Sequence, residues 1–102
     1  MGNNGKMKIN VKFLASIREI AGGAHEMQFE LNSGYTVKDL LEFLELRFGA
    51  EFKEAAGKPF EDENPRLRFL VNGRDIDYLR GGPGTELKEG DLVVLIPPVG
   101  GG

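Results

Sequence analysis

From Met7 to Ala15 the chain alternates, with Ile9, Val11 and Phe13 set against Lys8, Asn10 and Lys12. A period of two predicts a strand with one wet face. Ser16 to Ala21 reads as a short helical link closed by Gly22-Gly23, after which Met27, Phe29 and Leu31 alternate with Gln28 and Glu30. This is a second strand, the hairpin partner of the first. At Thr36 the period changes. Val37, Leu40, Leu41, Leu44 and Phe48 recur at helical spacing, and Thr36 with Asp39 three residues later forms a variant capping box. The pattern predicts one helix with one apolar stripe, ending near Gly49, and a further turn or two from Glu51 to Ala56. An acidic, proline-bounded loop, GKPFEDENP, follows.

Strands return in the second half. Leu67 to Val71 is a third strand, broken by Asn72-Gly73, a dipeptide that accepts the positive backbone angles of a tight turn. Ile76 to Leu79 is expected to form a short fourth strand, and RGGPGT is a turn-rich connection. Gly90-Asp91 then leads into Leu92, Val93, Val94, Leu95 and Ile96, a continuous apolar run that fits a buried central strand. A single striped helix buries itself against one face of a sheet, so the order β, β, α, β, β, β predicts an α+β two-layer roll. The other face of the sheet stays open. Leu92, Val94 and Ile96 point one way and Val93 and Leu95 the other, so one apolar set lies uncovered, and such a cluster marks a docking surface unless loops cover it.

Composition narrows the functions available. With 102 residues the chain is one domain, too small for a core plus a separate catalytic lobe. A formal charge of −3, with Lys and Arg scattered, speaks against nucleic acid and membrane surfaces. There is no cysteine, which excludes disulfides, thiolate metal sites and a cysteine nucleophile, and makes the cytoplasm the default location. Residues 1–6, MGNNGK, lack the apolar region of a signal peptide and read as a disordered leader or a cloning remnant. The folded domain is expected over 7–96 and a flexible glycine tail over 97–102.

The catalytic inventory is short. The single histidine, His25, sits at the start of the second strand and reads as a surface residue. Glu42 and Glu45 on the helix, and Glu61, Asp62 and Glu63 in the loop, read as solvated charge. No metal ligand set, phosphate loop or dinucleotide fingerprint is present, because Gly81, Gly82 and Gly84 lie in a proline-containing turn rather than before a helix. No cofactor is expected to bind this chain.

The last six residues, PPVGGG, remain. Pro97 and Pro98 favour an extended, semi-rigid segment, and Gly100, Gly101 and Gly102 present backbone without bulk. Fully extended, this segment reaches about 20 Å, a shape suited to a narrow channel. A terminal carboxylate has an unperturbed pKa of roughly 3.5, so it is ionised near neutral pH and is a poor electrophile until something activates it. Terminal glycines also occur as floppy ends.

Four stretches in order, VKFLASIREIAG (Val11 to Gly22), TVKDLLEFL, VNGRDI (Val71 to Ile76) and LKEGDLVVLIPPVGGG (Leu87 to Gly102), resemble the MoaD/ThiS-type ubiquitin-like sulfur carriers. That family includes the small subunit of molybdopterin synthase and the archaeal small modifier proteins. Its most specific element here is Gly90-Asp91, a strand, Pro97-Pro98-Val99, one small residue, and Gly101-Gly102. Gly100 stands where the family commonly has alanine, serine or threonine, and the stretch 49–65 is longer than in compact bacterial versions, closer to the archaeal branch.

The resemblance implies a β-grasp roll, a mixed sheet of four to five strands with one main helix on one face. It also implies an E1-like enzyme that uses ATP to adenylate the carboxylate of Gly102, followed by conversion to a thiocarboxylate. The tail, with Pro97, Pro98, Val99, Gly100 and Gly101 as recognition residues, would then enter the large catalytic subunit of molybdopterin synthase and donate sulfur for the molybdenum or tungsten cofactor. By position, Leu14 and Ile96 match apolar docking residues of the family, which assigns Leu92, Val94 and Ile96 to the open face and Val93 and Leu95 to the core. The chain is not an enzyme alone on this reading. The alternative is a protein modifier joined through Gly102 to target-protein lysines, since the same activated carboxyl serves either acceptor.

Overall fold

The computed structural model describes residues 5–97. The elements run β1 (Lys6–Phe13), α1 (Ser16–Ile20), β2 (Glu26–Asn32), α2 (Val37–Phe48), α3 (Ala50–Ala56), β3 (Arg68–Val71), β4 (Arg74–Asp75) and β5 (Leu92–Ile96). Single 3-10 turns lie at Ile76–Tyr78 and Gly82–Gly84. The five strands form one sheet in the order β2-β1-β5-β3-β4. β1 pairs antiparallel with β2, parallel with β5, and β5 pairs antiparallel with β3. The last strand in the chain therefore lies at the centre.

Register explains the core. Val11, Val93 and Val71 share one row across β1, β5 and β3, and Phe13, Leu95 and Phe69 share another. All six are buried. Against these rows α2 lays Val37, Leu40, Leu41 and Leu44, and α3 adds Phe52 and Ala56. Burying each such aliphatic or aromatic side chain is worth about 1.5–3 kcal/mol, so the rows and the helical stripe supply the main driving force.

The capping box at α2 forms as the sequence predicts. Asp39 N–H donates to Thr36 Oγ1 at 3.2 Å and Thr36 N–H donates to Asp39 Oδ2 at 2.9 Å. The helix stops at Gly49, whose φ of 88° is open to glycine and costly for other residues. The chain re-enters a helix at once as α3, the turn expected from Glu51 to Ala56. Asn72 and Gly73, at φ 51° and 87°, make the two-residue turn between β3 and β4.

Three boundaries differ from the sequence reading. Ile76 to Leu79 is not a strand: β4 is confined to Arg74–Asp75, and Ile76–Tyr78 coils into a 3-10 turn. The cause is local, because Asp75 Oδ1 accepts from Asp77 N–H at 2.9 Å and offers the backbone an alternative to the ladder. β1 ends at Phe13 rather than Ala15, since Ala15 turns to φ 51° to start α1. Lys6, placed in the leader by sequence, joins the sheet opposite Asn32, and the turn residue Gly5 before it accepts from Ser33 N–H through its C=O at 2.6 Å. The rest of the expected leader, residues 1–4, lies outside the described residues, as do 98–102 of the tail.

Candidate functional site: the open sheet face and the root of the tail

The helices cover one face of the sheet, and strand parity sends alternate residues to the other. On β5 the buried residues are Val93 and Leu95, while Leu92, Val94 and Ile96 are half-buried on the open face. The assignment of parity made from sequence is the observed one. Across the β3 ladder Val94 opposes Leu70 and Ile96 opposes Arg68. Across β1, Leu92 opposes Asn10 and Val94 opposes Lys12. The result is an aliphatic strip, Leu92-Val94-Ile96 with Leu70 beside it, between a polar strand and a mixed one. Leu14, half-buried, follows β1 at the same end as Ile96, and its N–H donates to Leu95 C=O at 3.3 Å.

Leu70 was not singled out by sequence. Its signal was available, because Leu67, Phe69 and Val71 are in phase as core residues and leave Arg68 and Leu70 on the opposite side.

Beyond the strip the face is charged. β1 contributes Lys6, Lys8 and Lys12, and β2 places Glu30 across from Lys8 and Glu26 across from Lys12. Arg68 leans toward Asp75 and Asp77, at 3.4 and 3.6 Å, with nearly half of its side chain exposed. Ion pairs so open to water add little stability, about 0–1 kcal/mol. Two other large apolar residues are far more exposed, Leu46 at 87% and Tyr78 at 82%. They lie on α2 and in the turn after β4, outside the β5 strip, and single exposed residues of this kind are ordinary.

β5 is fixed at its start. Gly90 N–H donates to Lys8 C=O at 2.8 Å and Asn10 N–H to Asp91 C=O at 2.9 Å. Asp91 accepts from Lys88 N–H at 2.8 Å and from Asn72 Nδ2 at 2.9 Å, while Asn72 Oδ1 accepts from Leu92 N–H at 2.9 Å. The Gly-Asp pair thus ties the incoming loop to the β3–β4 turn. From this anchored end β5 runs to Ile96 and Pro97, and the chain leaves beside Leu14 and Arg68. Pro97 is half-buried. Pro98, Val99, Gly100, Gly101 and Gly102 lie outside the described residues.

Of the side chains able to do acid-base work, Glu42, Glu45 and Glu61 line one shared cavity. His25 is exposed and meets β1 through its carbonyl, which accepts from Phe13 N–H at 3.0 Å. Glu42, Glu61, Asp62 and Glu63 are exposed, as expected. Glu45 departs from that expectation: it is half-buried beside a cavity of about 220 Å³ lined by Leu41, Lys53 and Phe60 among others. Burial raises its carboxyl above the ordinary range, Glu42 pushes the same way, and Lys53 opposes both. Among the described residues, no group of three or more His, Cys, Asp or Glu could hold a metal ion. Among them, too, no helix is long and apolar enough to cross a membrane.

The model of the ThiS family matches residues 11–102. The chain belongs to that family. This ThiS-family chain is 36% identical to small archaeal modifier protein 3 of Haloferax volcanii, over 94% of its own length and all of the relative's. To the molybdopterin synthase sulfur carrier subunit of Chlamydomonas reinhardtii it is 33% identical, again over 94% of this chain and the whole of that one. Among solved structures it superposes on a Pyrococcus furiosus protein assigned as subunit 1 of the molybdopterin converting factor. The TM-score there is 0.75 and the identity 37%, with 91% of this chain and 99% of the other covered. The mixed five-stranded sheet with its helices on one face is the β-grasp fold of these ubiquitin-like proteins. The chain is a ThiS/MoaD-type ubiquitin-like carrier or modifier.

Proposed function

We propose that this ThiS-family chain is a sulfur carrier of the molybdopterin synthase small-subunit type, and that its reactive group is the main-chain carboxylate of Gly102. The observation that carries the reading is the continuity of one strand. β5 holds Leu92, Val94 and Ile96 on the open face and is followed in sequence at once by the Pro-Pro-Val-Gly-Gly-Gly end, so docking surface and reactive terminus lie on one continuous stretch of chain.

The chemistry follows from the acid itself. A carboxylate resists nucleophiles because it is already anionic. In the site of an E1-like enzyme it attacks the α-phosphorus of ATP, pyrophosphate leaves, and the carbonyl becomes an acyl-adenylate. The outer sulfur of an enzyme persulfide attacks the acyl carbon and AMP departs; a second thiol of that enzyme then cleaves the S–S bond, forming a disulfide with the persulfide's inner sulfur, and Gly102 is released as the thiocarboxylate. ATP belongs to that enzyme's site rather than to this chain. Pro97, Pro98, Val99, Gly100 and Gly101 suit a narrow channel by residue type, since proline favours an extended backbone and glycine lacks bulk. Leu14, Leu92, Val94 and Ile96 seat the scaffold on the partner, either the activating enzyme or the large catalytic subunit, and desolvation of such side chains is the expected source of affinity. In the synthase the sulfur passes to a pterin precursor for a molybdenum or tungsten cofactor.

A second reading is favoured by the identity to small archaeal modifier protein 3. The same acyl-adenylate, taken by a lysine amine instead of a persulfide, leaves Gly102 in an isopeptide bond to a target protein. Both readings require adenylation. With an E1-like enzyme of the host and ATP, the full chain should support pyrophosphate–ATP exchange, and a chain lacking Gly101 and Gly102 should not. Exchange that survives the deletion overturns both.

A further inference from the structure

We propose that Asn72-Gly73 is a deamidation site whose reactivity is gated by Asp91. The dipeptide occupies the exposed β3–β4 turn, and glycine places no side chain in the way of ring closure. In the reaction, the Gly73 main-chain nitrogen attacks Asn72 Cγ and its proton leaves with the side-chain nitrogen as ammonia. A cyclic imide forms, and water opens it at one carbonyl or the other to give aspartate or isoaspartate. No oxidant or enzyme is needed.

The fold opposes the first step. Both polar atoms of Asn72 are committed to the segment that starts β5: Nδ2 donates to Asp91 Oδ1 and Oδ1 accepts from Leu92 N–H, each at 2.9 Å. Ring closure requires the amide to turn onto Gly73 and so to release these partners. One of the two bonds is charge-assisted, the stronger kind. Asp91 is itself held, since its second oxygen accepts from Lys88 N–H at 2.8 Å. The latch is therefore a gate: closed, it holds Asn72 Cγ away from the nucleophile, and open, it frees the side-chain amide to turn onto Gly73 while Asn72 N–H still ties the main chain to Leu92 C=O at 2.8 Å.

The product cannot restore the latch. A carboxylate at position 72 has no proton to donate to Asp91 and sets a second negative charge against it, and the isoaspartate form also lengthens the turn by one main-chain atom. Deamidated chains should melt at a lower temperature than intact ones.

The test incubates the full chain at mildly alkaline pH, folded and in urea, and follows the peptide holding residues 68–80 by mass spectrometry. The expected result is deamidation about tenfold or more slower in the folded chain, the scale set by a hydrogen bond to a charged group. Asp91→Ala, compared at a temperature where its melting curve shows it folded, should deamidate several-fold faster than the folded parent, the share carried by its charge-assisted bond, and Gly73→Ala should suppress the reaction in urea. Equal folded and urea rates overturn the proposal. So does a folded Asp91→Ala protein that deamidates no faster than the parent.

Discussion

Leu70 of β3 stands directly across from Val94 of β5 on the uncovered face of the sheet, one residue in each strand away from the buried pair Phe69 and Leu95. Neighbours in sequence thus answer to opposite demands. Leu95 has to fill the space beneath α2, while Val94 needs only to suit a strand and remain available to a partner.

Consecutive substitutions on β5 should therefore separate stability from docking. Leu95→Ala opens a cavity in the core and should cost about 2–5 kcal/mol in urea unfolding. Val94→Thr keeps strand preference and near-native volume, Leu70→Thr keeps strand preference at a half-buried position, and each should change stability by less than about 1 kcal/mol. The two threonine variants should nonetheless weaken binding to the activating enzyme, measured by the dependence of exchange rate on carrier concentration. Unchanged dependence in both would remove the strip from the docking surface.

Ala15 offers a test of the turn behind Leu14. With φ 51° and ψ −134° it occupies a region that glycine enters freely and other residues enter at a cost of about 1–3 kcal/mol. Ala15→Gly relieves that strain but gives the unfolded chain more freedom, worth about 0.5–1 kcal/mol in the other direction. The net expectation is a small gain in melting temperature. A clear loss would mean that the backbone at Ala15 is not strained.

Glu45 predicts a pH dependence with a definite sign. Burial raises its carboxyl in the folded state above the ordinary glutamate value near about 4.3. Between those two values the folded chain holds more proton than the unfolded one, so stability from this group is present at low pH and is lost as pH rises through the folded value. At neutral pH the parent carries the full cost of a partly desolvated charge. Glu45→Gln should raise the melting temperature at pH 7, and its advantage should shrink on acidification to below the ordinary range. Melting curves of both proteins across that window check it, and an advantage that grows with acid contradicts it.

What could be read from the chain follows from how local each signal is. The alternation in β1, the Thr36–Asp39 capping box and the Asn72-Gly73 turn depend on residues within a few positions of each other, and the structure has all three. On β5 alternation says only that Val93 and Val94 point apart, and the open set is assigned from the family resemblance of Ile96. Which of them faces α2 is fixed by the parallel register with Val11 and Lys12, a pairing across most of the chain. Leu70's outward parity was legible from Leu67, Phe69 and Val71, but its place beside Val94 exists only once β3 and β5 are aligned. Ile76 to Leu79 failed differently. Its apolar ends suit a strand, but the Asp75 side chain claims Asp77 N–H and turns the backbone. The long tie between the loop before β5 and the start of α2, with Leu87 N–H donating to Tyr35 C=O at 2.8 Å and Val37 N–H to Thr85 C=O at 3.0 Å, left no sequence signature at all.

The reactive terminus is most directly tested by the intact mass of the chain recovered from a host that contains its activating and sulfur-transfer enzymes. A sulfur carrier should show a second, heavier species in which one oxygen of the Gly102 carboxylate is replaced by sulfur, confined to the C-terminal peptide and lost on treatment with a thiol-alkylating reagent in favour of the alkylated form. A chain that carries only the plain acid in such cells, with Gly102 instead found on lysines of other proteins, would contradict the sulfur-carrier reading and leave the modifier in its place.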